Sequence, residues 1–578
     1  MIKKLKPYIK GYWLPTILTP FMMMGEVAME IYIPFLMSKM IDVGIANSDM
    51  DYVVKTGLWM VACSFISLGF GTLGSRFSST ACTGFASNLR SALFAKVQSF
   101  SFSNVDKFST GSLITRITTD VQQLQDAFRE MIQMMFRSPV MIVAATIMAF
   151  TINRKLSLVF LVALPFLVLT AVFILKKAGP LFKVMMEKMD RLNTVIEENI
   201  TASRVVKAFV RQDEEYDKLA VAAGDIKKTQ LRAQDMAMIA SPVMSGVIYA
   251  TTLAICYFGG LLMIKGEMLT GEFFTFIQYI RQILMGVIMV AMVFISFTMA
   301  SASAGRIIEV LEEVPDISDA DADSALKVEN GAVEFKNVNF AYKNGTGDYV
   351  LSDINFSVKS GETVGIIGAT GSAKSTLVQL ISRLYDVSSG EVLVGGHNVK
   401  EYKLKTLRDA CAMVLQKNLL FSGTIRDNLK WGKADATDEE ITDACKAACA
   451  DDFVRSFPEG YDTEMGQGGV NVSGGQKQRL CIARALLKSP KVLILDDSTS
   501  AVDTATDAAI RSALREKRAD VTTFIIAQRI SSVSDADKII VLDNGRINGF
   551  GTPAEMLATN EIYRDVYESQ TKGAVENG

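Results

Sequence analysis

Residues 361–381 read GETVGIIGATGSAKSTLVQLI, and they decide the fold of the second half of this 578-residue chain. An apolar run that is typical of a buried strand leads into a glycine-rich turn, and a run that is typical of a helix follows. The turn, residues 368–375, is nearly the P-loop, in which backbone N–H groups at a helix N-terminus hold phosphate groups. In that motif Lys374 neutralises the terminal phosphates and the Ser375 hydroxyl ligates Mg²⁺. The stretch therefore predicts a phosphate-binding site at the end of a strand.

One position of this turn departs from the motif, because Ala373 stands where glycine usually precedes the lysine. If this residue adopts a positive φ, its Cβ costs on the order of 1–2 kcal/mol. If φ is negative, the cost is small. The sequence alone leaves both conformations open.

Two further stretches carry phosphate chemistry. Residues 492–497, VLILDD, form a buried strand that ends in Asp496 and Asp497, as required to hold Mg²⁺ and to orient a water molecule. Residues 472–479, VSGGQKQR, come before a helical run, so that Ser473 and two glycines open a helix and form a second anion site. The first stretch is a weak signal, because many strands end in aspartate, whereas the octapeptide is highly specific.

The composition excludes several classes of protein. Lys and Arg number 60 against 62 Asp and Glu, for a net charge of −2, so a globally basic nucleic-acid binder is not expected. Because the chain has a single histidine, His397, a two-histidine metal site is excluded. A Ser-His-Asp triad would have to use His397. The seven cysteines form no CxxC pair, so neither a zinc site nor a disulfide scaffold is indicated. Hydrophobic residues make up 49% of the chain and the mean hydropathy is +0.25, which suggests that part of the chain lies in lipid.

The first half of the chain contains apolar runs long enough to cross a membrane. Residues 156–175, LSLVFLVALPFLVLTAVFIL, carry no charge over the ~20 residues that are needed to cross ~30 Å of hydrocarbon. The long connections at residues 76–137 and 176–235 are polar and helix-patterned, so we expect helices that run well beyond the membrane, since structureless loops of that size are uncommon. Six transmembrane helices are expected, at about residues 11–38, 56–75, 138–153, 156–175, 236–264 and 282–305.

The charges near the N-terminus predict the orientation of these spans. The first ten residues, MIKKLKPYIK, predict a basic interfacial helix, and a cleaved signal peptide is disfavoured because no small-residue cleavage site follows. The four lysines of this stretch place it in the cytoplasm by the positive-inside rule. Residues 42–51 carry no Lys or Arg, as expected of an external loop, whereas Arg154 and Lys155 in the predicted second external turn run against the rule.

The composition changes after residue 305. Residues 315–321, PDISDAD, form an acidic linker, and from Val333 strand-like runs alternate with helical segments. That alternation indicates an α/β domain with a largely parallel sheet. We therefore expect a six-helix transmembrane domain at residues 1–312, a linker at 313–330 and an α/β P-loop domain at 331–578.

The P-loop, the Ser-Gly-Gly-Gln motif and the strand that ends in aspartate follow in this order after the spans. The chain thus resembles an ATP-binding cassette (ABC) exporter half-transporter of the type I exporter, or type IV, fold over essentially its whole length. The resemblance implies that the chain binds ATP and Mg²⁺, with Tyr342 matching the aromatic residue that stacks on adenine and Gln416 matching the glutamine that faces the membrane domain. The implied ATP-binding residues are Tyr342, Gly368, Ala369, Thr370, Gly371, Ser372, Ala373, Lys374, Ser375, Thr376 and Gln416. The implied Mg²⁺ ligands are Ser375, Gln416 and Asp496.

The resemblance also implies an assembly of two chains. In this family two nucleotide-binding domains face head to tail, and each ATP lies between the P-loop of one chain and the signature motif of the other. Residues 500–503 match the D-loop, which includes Asp503, and residues 109–121 and 204–212 resemble the intracellular coupling regions that dock on nucleotide-binding domains. The signature motif here is Ser473, Gly474, Gly475 and Gln476.

Three positions depart from the family pattern, and all concern the use of ATP. Asp497 stands where the family has the glutamate that polarises the attacking water, and Gln528 stands in place of the switch histidine. Ala373 is the third departure. Each has a neutral interpretation, but together they predict a slow or inactive site. Because the signature motif is intact, the chain resembles the degenerate-site subunit of heterodimeric bacterial multidrug exporters, and we expect a partner chain that carries Glu and His at the first two positions.

The transported substrate stays open at this point. The resemblance suggests ATP-driven export of hydrophobic or amphipathic small molecules from the plasma membrane, with the nucleotide-binding domain in the cytoplasm. A lipid flippase, or an ATP-binding regulatory half with little pumping role, is the alternative. Charged residues inside spans are costly and often functional, so we consider four of them as part of a substrate cavity, with internal pairing or an interfacial location as the alternative. These residues are Glu26, Glu30, Arg137 and Arg281.

Overall fold

The structure is a computed structural model that describes residues 2–320, 322–342, 347–498, 502–517 and 520–576. The chain divides into two compact units. The first consists of Met1–Gln98 and Gly111–Glu312, and the second consists of Ser99–Thr110 and Glu313–Gly578. The short segment Ser99–Thr110, which the sequence places between two predicted spans, thus belongs to the second unit. Ser500 and Ala501 of the predicted D-loop lie outside the described residues.

Long helices build the first unit. Two π-helical segments, Met40–Ile45 and Arg116–Asp120, interrupt them. The α-helices up to residue 312 are α1 (Ile2–Leu5), α2 (Trp13–Lys39), α3 (Met50–Gln98), α4 (Phe102–Phe108), α5 (Thr110–Thr115), α6 (Val121–Ile152), α7 (Arg154–Thr201), α8 (Ser203–Ala208), α9 (Gln212–Met238), α10 (Ala240–Ile264) and α11 (Thr270–Glu312). Of these, α4 lies in the segment that belongs to the second unit.

The transmembrane character of the first unit is visible in its helices. Among the described residues, five helical stretches are long and apolar enough to cross a membrane: Trp13–Ile45, Met50–Gln98, Thr110–Ile152, Pro242–Ile264 and Thr270–Glu312. The remaining predicted span, residues 156–175, lies within α7, where several side chains fall outside the described set. With 49 residues in α3 and 48 in α7, both helices are far longer than the ~20 residues that a bilayer requires. The long polar connections are therefore helical, as expected.

Hydrogen bonds from α11 to backbone carbonyls of α2 join these two helices. Pro34 lies inside α2 and has no N–H, so it leaves the carbonyl of Glu30, four residues earlier, without its helical partner. The Gln282 amide donates to this carbonyl at 3.1 Å. The fully buried Tyr279 hydroxyl donates to the carbonyl of Ile31 at 3.0 Å. A side chain of a neighbouring helix thus satisfies the backbone carbonyl that a proline frees inside a membrane helix, and a second side chain bonds the next carbonyl.

A polar cluster also joins α6 to α11, around the π-helical segment. Asp120, which is 1% exposed, accepts two hydrogen bonds from the guanidinium of Arg306, of which the bond from Nε is 2.8 Å long. Arg116 donates to the backbone carbonyl of Arg306 at 2.9 Å and pairs with Glu309 at 2.9 Å. A nearly buried carboxylate with a bidentate arginine partner is a strong, directional contact. It fixes these two helices side by side within the first unit.

The second unit is an α/β domain. Its strands are β1 (Val333–Phe340), β2 (Leu351–Val358), β3 (Thr363–Ile367), β4 (Ser389–Val394), β5 (His397–Asn398), β6 (Cys411–Val414), β7 (Gly423–Thr424), β8 (Glu464–Met465), β9 (Val492–Asp496), β10 (Thr522–Ile526), β11 (Lys538–Asp543) and β12 (Arg546–Gly551). Its further helices are α12 (Lys374–Ile381), α13 (Leu404–Ala410), α14 (Ile425–Lys430), α15 (Asp438–Ala447), α16 (Asp451–Ser456), α17 (Gly474–Leu487), α18 (Thr504–Lys517), α19 (Pro553–Thr559) and α20 (Glu561–Glu576).

The main sheet positions the phosphate-binding residues. Its strand order is β12-β11-β3-β10-β9-β6, and every neighbouring pair is parallel except β11 with β12. All five residues of β9 and of β10 are buried, as expected of strands that are covered on both faces. The carboxyl ends of β3, β9 and β10 therefore meet at one edge of the sheet, which is where ligands bind in open α/β folds. A second sheet, β2-β1-β4-β5, is antiparallel.

The segment Ser99–Thr110 is held to the rest of the second unit by side-chain contacts of α4. The Tyr385 hydroxyl donates to Asp106 at 2.8 Å, and the ring of Phe102 packs edge-on against that of Tyr385 with 6.0 Å between centroids. The Asn104 amide donates to the Glu313 carboxylate at 3.0 Å. These contacts explain why a segment between two membrane helices is part of the α/β unit.

Candidate nucleotide-binding site

The P-loop connects β3 to α12 with the geometry that the motif predicts. Gly368 lies so close to the neighbouring strand that an added Cβ would be 2.1 Å from the Leu542 carbonyl oxygen, so only glycine fits. Gly371 has a φ of +87°, and nothing lies within 4 Å of the position a Cβ would take. Ala369 and Thr370 are exposed beside it, whereas Ser372 and Thr376 are buried beneath. The space beside Gly371 is thus open, close to a helix N-terminus of the kind where anions bind.

The sequence allowed either a positive or a negative φ at Ala373, and the structure has the strained, positive one. Its φ is +72° and its ψ is 25°, in the left-handed region, and it is the residue that caps α12 at its N-terminus. Glycine adopts this conformation freely, whereas a Cβ costs on the order of 1–2 kcal/mol there. The departure from the motif at this position therefore strains the loop.

Lys374 is folded onto the loop that precedes it. Its ammonium donates to the carbonyls of Gly368 at 2.9 Å and Ala369 at 2.8 Å. Burial lowers the pKa of Lys374, while the carboxylates of Asp497 and Asp496 act in the opposite direction. The ammonium is thus partly desolvated and lies among acceptors, an arrangement that suits a phosphate group as a further partner.

The Ser375 hydroxyl and the carboxylate at the end of β9 face each other. The Ser375 hydroxyl donates to Oδ1 of Asp496 at 2.9 Å, and Asp496 is 3% exposed. Burial raises the pKa of Asp496, and the Ser375 hydrogen bond lowers it. A hydroxyl and a carboxylate at the mouth of a phosphate loop are hard oxygen donors of the kind that Mg²⁺ prefers. These two predicted Mg²⁺ ligands are therefore adjacent.

Two of the departures from the family pattern are in direct contact. The Gln528 amide donates to Oδ2 of Asp497 at 2.8 Å, and a side-chain hydrogen bond also joins Gln416 to Asp497. Burial raises the pKa of Asp497, which is 9% exposed, and the two glutamine hydrogen bonds lower it. The carboxylate is therefore held by two amides. This places Gln416, predicted as a Mg²⁺ ligand, beside Asp497.

Tyr342 belongs to an aromatic cluster of the second unit. Its hydroxyl is 2.9 Å from that of Thr376, and its ring packs edge-on against Tyr385 with 5.2 Å between centroids. Phe340 packs on both rings, with centroid distances of 4.9 and 5.7 Å. Tyr342 thus lies beside the helix that the P-loop opens, which is compatible with the predicted contact to a base. Tyr385, to which no motif in the sequence points, joins this cluster to Asp106 of α4.

The signature residues form the N-terminus of α17. The Ser473 side chain accepts from the Gln476 N–H at 3.3 Å, and the Gln476 side chain accepts from the Ser473 N–H at 2.9 Å. This reciprocal pair is a capping box. Ser473 and Gly474 are exposed, and Gly475 is half-buried. The motif therefore presents a stable helix N-terminus to the outside of the unit.

The D-loop residue Asp503 also acts at a helix start. Its carboxylate accepts the Thr506 N–H at 2.9 Å and the Thr506 hydroxyl at 2.7 Å. These hydrogen bonds hold the pKa of Asp503 below its usual range. One buried polar atom nearby, Oγ of Ser498, has no hydrogen-bond partner among the described residues. Ser498 follows Asp497 directly, and no motif in the sequence points to it.

Three of the four charged residues proposed for a substrate cavity are together in the first unit. Arg137 on α6 pairs with Glu30 at 2.6 Å and with Glu26 at 3.4 Å, both on α2. Arg281 on α11 is exposed, and no ion pair of it is found within the described part of the chain. The sequence left open whether these charges pair internally or line a substrate cavity. The structure shows internal pairs, and Glu26 and Arg137 also line a cavity of about 720 Å³.

Comparison with known proteins identifies the class. Residues 16–288 match the family model described as the ABC transporter transmembrane region, and residues 351–500 match the model described as ABC transporter. An uncharacterized ABC transporter ATP-binding protein of Bacillus subtilis is 36% identical over 98% of both chains. An uncharacterized ABC transporter ATP-binding protein of Mycobacterium tuberculosis is 35% identical over the full length of both. The chain belongs to the ABC transporter family.

Two further comparisons extend this result. A fatty acid ABC transporter ATP-binding/permease protein of Mycobacterium bovis is 36% identical over 82% of this chain and 75% of its own length. The structure of a bacterial Atm1-family ABC exporter with ATP bound superposes with a TM-score of 0.84, at 24% identity, over 96% of this chain and 99% of that one. The fold is thus a helical transmembrane domain followed by an α/β ABC nucleotide-binding domain. The chain is an ABC transporter with an ATP-binding ATPase domain that drives transport.

Proposed function

We propose that this chain is the degenerate-site half of a heterodimeric ABC exporter. The observation that carries the proposal is the hydrogen bond between Gln528 and Asp497, at 2.8 Å. A catalytic carboxylate must accept a proton from water or orient it, and the carboxylate here is already held by amides of Gln528 and Gln416. It is also one methylene shorter than glutamate. The chain's own site is therefore expected to bind ATP and turn it over slowly.

The residues that would hold ATP and Mg²⁺ are those of the loop and its neighbours. The N–H groups of residues 368–375 and the Lys374 ammonium would hold the phosphates, and Tyr342 would contact the base. The Ser375 hydroxyl, Asp496 and Gln416 would hold Mg²⁺. Mg²⁺ supplies neutralisation of phosphate charge. Gln528 can donate a hydrogen bond toward a terminal phosphate, but unlike histidine it cannot become cationic.

The intact signature motif gives this chain a second role. Its capped helix N-terminus, from Ser473 to Gln476, would complete the ATP site of a partner chain that carries Glu and His at the two degenerate positions. The partner-owned site then supplies most of the turnover. We place the nucleotide-binding domain and the basic N-terminus in the cytoplasm, in line with the lysines of the first ten residues.

The exported molecules are proposed to be hydrophobic or amphipathic small molecules. A second candidate, transport of a lipid or lipid-like acid, is favoured by the relative whose printed name is a fatty acid transporter. A regulatory half with little pumping role is the third candidate.

Copurification of the partner and ATP-dependent uptake into inverted vesicles test the proposal. The chain purified alone should hydrolyse ATP slowly, and the complex should hydrolyse it rapidly and accumulate substrate. Robust turnover by the chain alone would contradict the proposal. Labelled phospholipid or fatty acid in the same vesicles tests the second candidate, and nucleotide-gated conformational change without uptake would favour the third.

A further inference from the structure

Among the described residues of the first unit, two carboxylates of α2 share one guanidinium. Arg137 lies 2.6 Å from Glu30 and 3.4 Å from Glu26, so the short ion pair is with Glu30. Two carboxylates against one guanidinium leave one negative charge in surplus. In a low-dielectric surrounding such a charge is costly unless a cation or a proton neutralises it. The geometry assigns the surplus to Glu26, whose contact with Arg137 is the longer one.

The Glu26 carboxylate is fitted into a niche between helices. Gly71 of α3 faces it, and a Cβ at that position would lie 3.0 Å from Oε1 of Glu26. Glycine therefore lets the carboxylate lie against the neighbouring helix. The other oxygen, Oε2, is the one that contacts Arg137. This fixes Glu26 in place while leaving it on the wall of an open space.

That space is a cavity of about 720 Å³ between α2, α3 and α6. Glu26 and Arg137 are the charged members of its lining, and the other residues are apolar or neutral, among them Met23, Met134 and Gln133. Methionine side chains are flexible and polarisable, which suits an apolar body of variable shape. The volume is within the range of small-molecule sites.

Unpaired polar atoms lie at the same place. Oε2 of Glu30 and Nε of Arg137 are buried, and neither has a hydrogen-bond partner in the described part of the chain. Buried polar atoms of this kind are normally paired with protein, water or ligand. The two carboxylates and Arg137 therefore keep hydrogen-bonding capacity that they do not use among themselves.

We propose that this cavity is a substrate subsite for the positively charged head of an amphipathic organic cation, with Glu26 as its counter-ion. The proposal rests on the export function given above and adds the substrate class to it. Met23 and Met134 contact the apolar body, and Glu30 keeps Arg137 neutralised so that it does not repel the cation. An anionic ligand would instead use Arg137 and would be repelled by Glu26.

The test uses the full-length chain in lipid nanodiscs and radiolabelled tetraphenylphosphonium as the probe, with equilibrium dialysis as the measurement. We expect Glu26→Gln to weaken binding of this cation by about tenfold or more, because the counter-ion is lost. Glu26→Asp should retain most of the affinity for tetraphenylphosphonium. Neutral triphenylphosphine oxide should bind equally to the wild type, Glu26→Gln and Glu26→Asp. Glu267→Gln is the matched control, because Glu267 pairs with the exposed Lys155 at 2.7 Å. ATP binding by each variant verifies that it is folded.

Three results would overturn the subsite. They are equal affinity of tetraphenylphosphonium for the wild type and Glu26→Gln, an equal loss for the neutral probe, and tighter binding of dodecanoate than of the cation. The first result would mean that the cation does not use the Glu26 carboxylate. Failure of the export function can be distinguished from failure of the subsite. If export fails, the cation still binds in a way that depends on Glu26, but the complex shows no ATP-driven uptake. Uptake that is indifferent to Glu26→Gln would instead leave export intact and remove the subsite.

Discussion

The amide of Gln528 donates a 2.8 Å hydrogen bond to the carboxylate of Asp497. The sheet explains the contact, because Ile526 of β10 and Asp496 of β9 are register partners in a parallel pair. The residues just beyond these strand ends must therefore be neighbours. The two positions where the family carries a histidine and a glutamate are thus occupied by a mutually bonded amide and carboxylate.

Restoring the family residues at both positions should raise ATP turnover. We expect Asp497→Glu with Gln528→His to increase the rate of the complex with the partner, by up to about 10²-fold at this chain's site. Glutamate reaches one methylene further, and histidine can carry a positive charge toward a terminal phosphate. The measurement is steady-state phosphate release. An unchanged rate would show that another defect limits this site, with Ala373 the next residue to restore.

Replacing Ala373 by glycine should stabilise the nucleotide-binding unit. The φ of +72° costs alanine about 1 kcal/mol relative to glycine. A gain of that size raises the thermal midpoint by roughly 2–4 °C for a domain of this length. Differential scanning fluorimetry of the full chain measures it. The control is Ala369→Gly in the same loop, since Ala369 is not among the residues with positive φ and glycine there should lower the midpoint.

The bond between Gln282 and the Glu30 carbonyl can be tested with a double-mutant cycle. Gln282→Leu should destabilise the helical unit by about 1–3 kcal/mol, because the carbonyl that Pro34 frees loses its donor. In a Pro34→Ala background residue 34 has an N–H and can bond that carbonyl itself, so the same change should cost much less. Unfolding in mixed detergent micelles gives the four free energies. Equal costs in both backgrounds would refute the pairing.

Removing the Tyr385 hydroxyl should loosen α4. Tyr385 donates to Asp106 at 2.8 Å, and Tyr385→Phe deletes this bond while keeping the ring beside Phe102. We expect faster amide hydrogen exchange in Phe102–Phe108, by about fivefold to tenfold. Tyr402→Phe is the control, because that hydroxyl bonds the Val394 carbonyl elsewhere in the unit. A similar change in exchange for both variants would count against the contact.

Much of the fold follows from the sequence, because the signals are local. The strand, turn and helix around residues 361–381 are written in one stretch, and the apolar runs give the membrane helices. The conformation of Ala373 could not be read in the same way, since the sequence allows either sign of φ. The position of Ser99–Thr110 in the α/β unit also escapes prediction, because it depends on contacts with Tyr385 and Glu313 that are far away in the chain.

For the candidate sites, too, the sequence predicts local features but not the contacts that depend on packing. Glu26 and Glu30 are four residues apart, so the sequence places them on one helix face. Their partner Arg137 comes from another helix, more than a hundred residues later, and only packing selects it over Arg281. Likewise the motifs identify Asp497 and Gln528 as separate departures, whereas their hydrogen bond requires β9 and β10 to be neighbours.

The most direct test of the central claim is vanadate trapping of labelled nucleotide in the complex of this chain with its partner. If the partner-owned site turns over, Lys374→Ala in this chain should lower trapping by no more than about threefold, while Gly475→Asp in its signature motif should lower it by about 100-fold or more. In the proposed heterodimer the first residue belongs to this chain's own ATP site, and the second would complete the partner's. Trapping that requires Lys374 and tolerates Gly475→Asp would contradict the account.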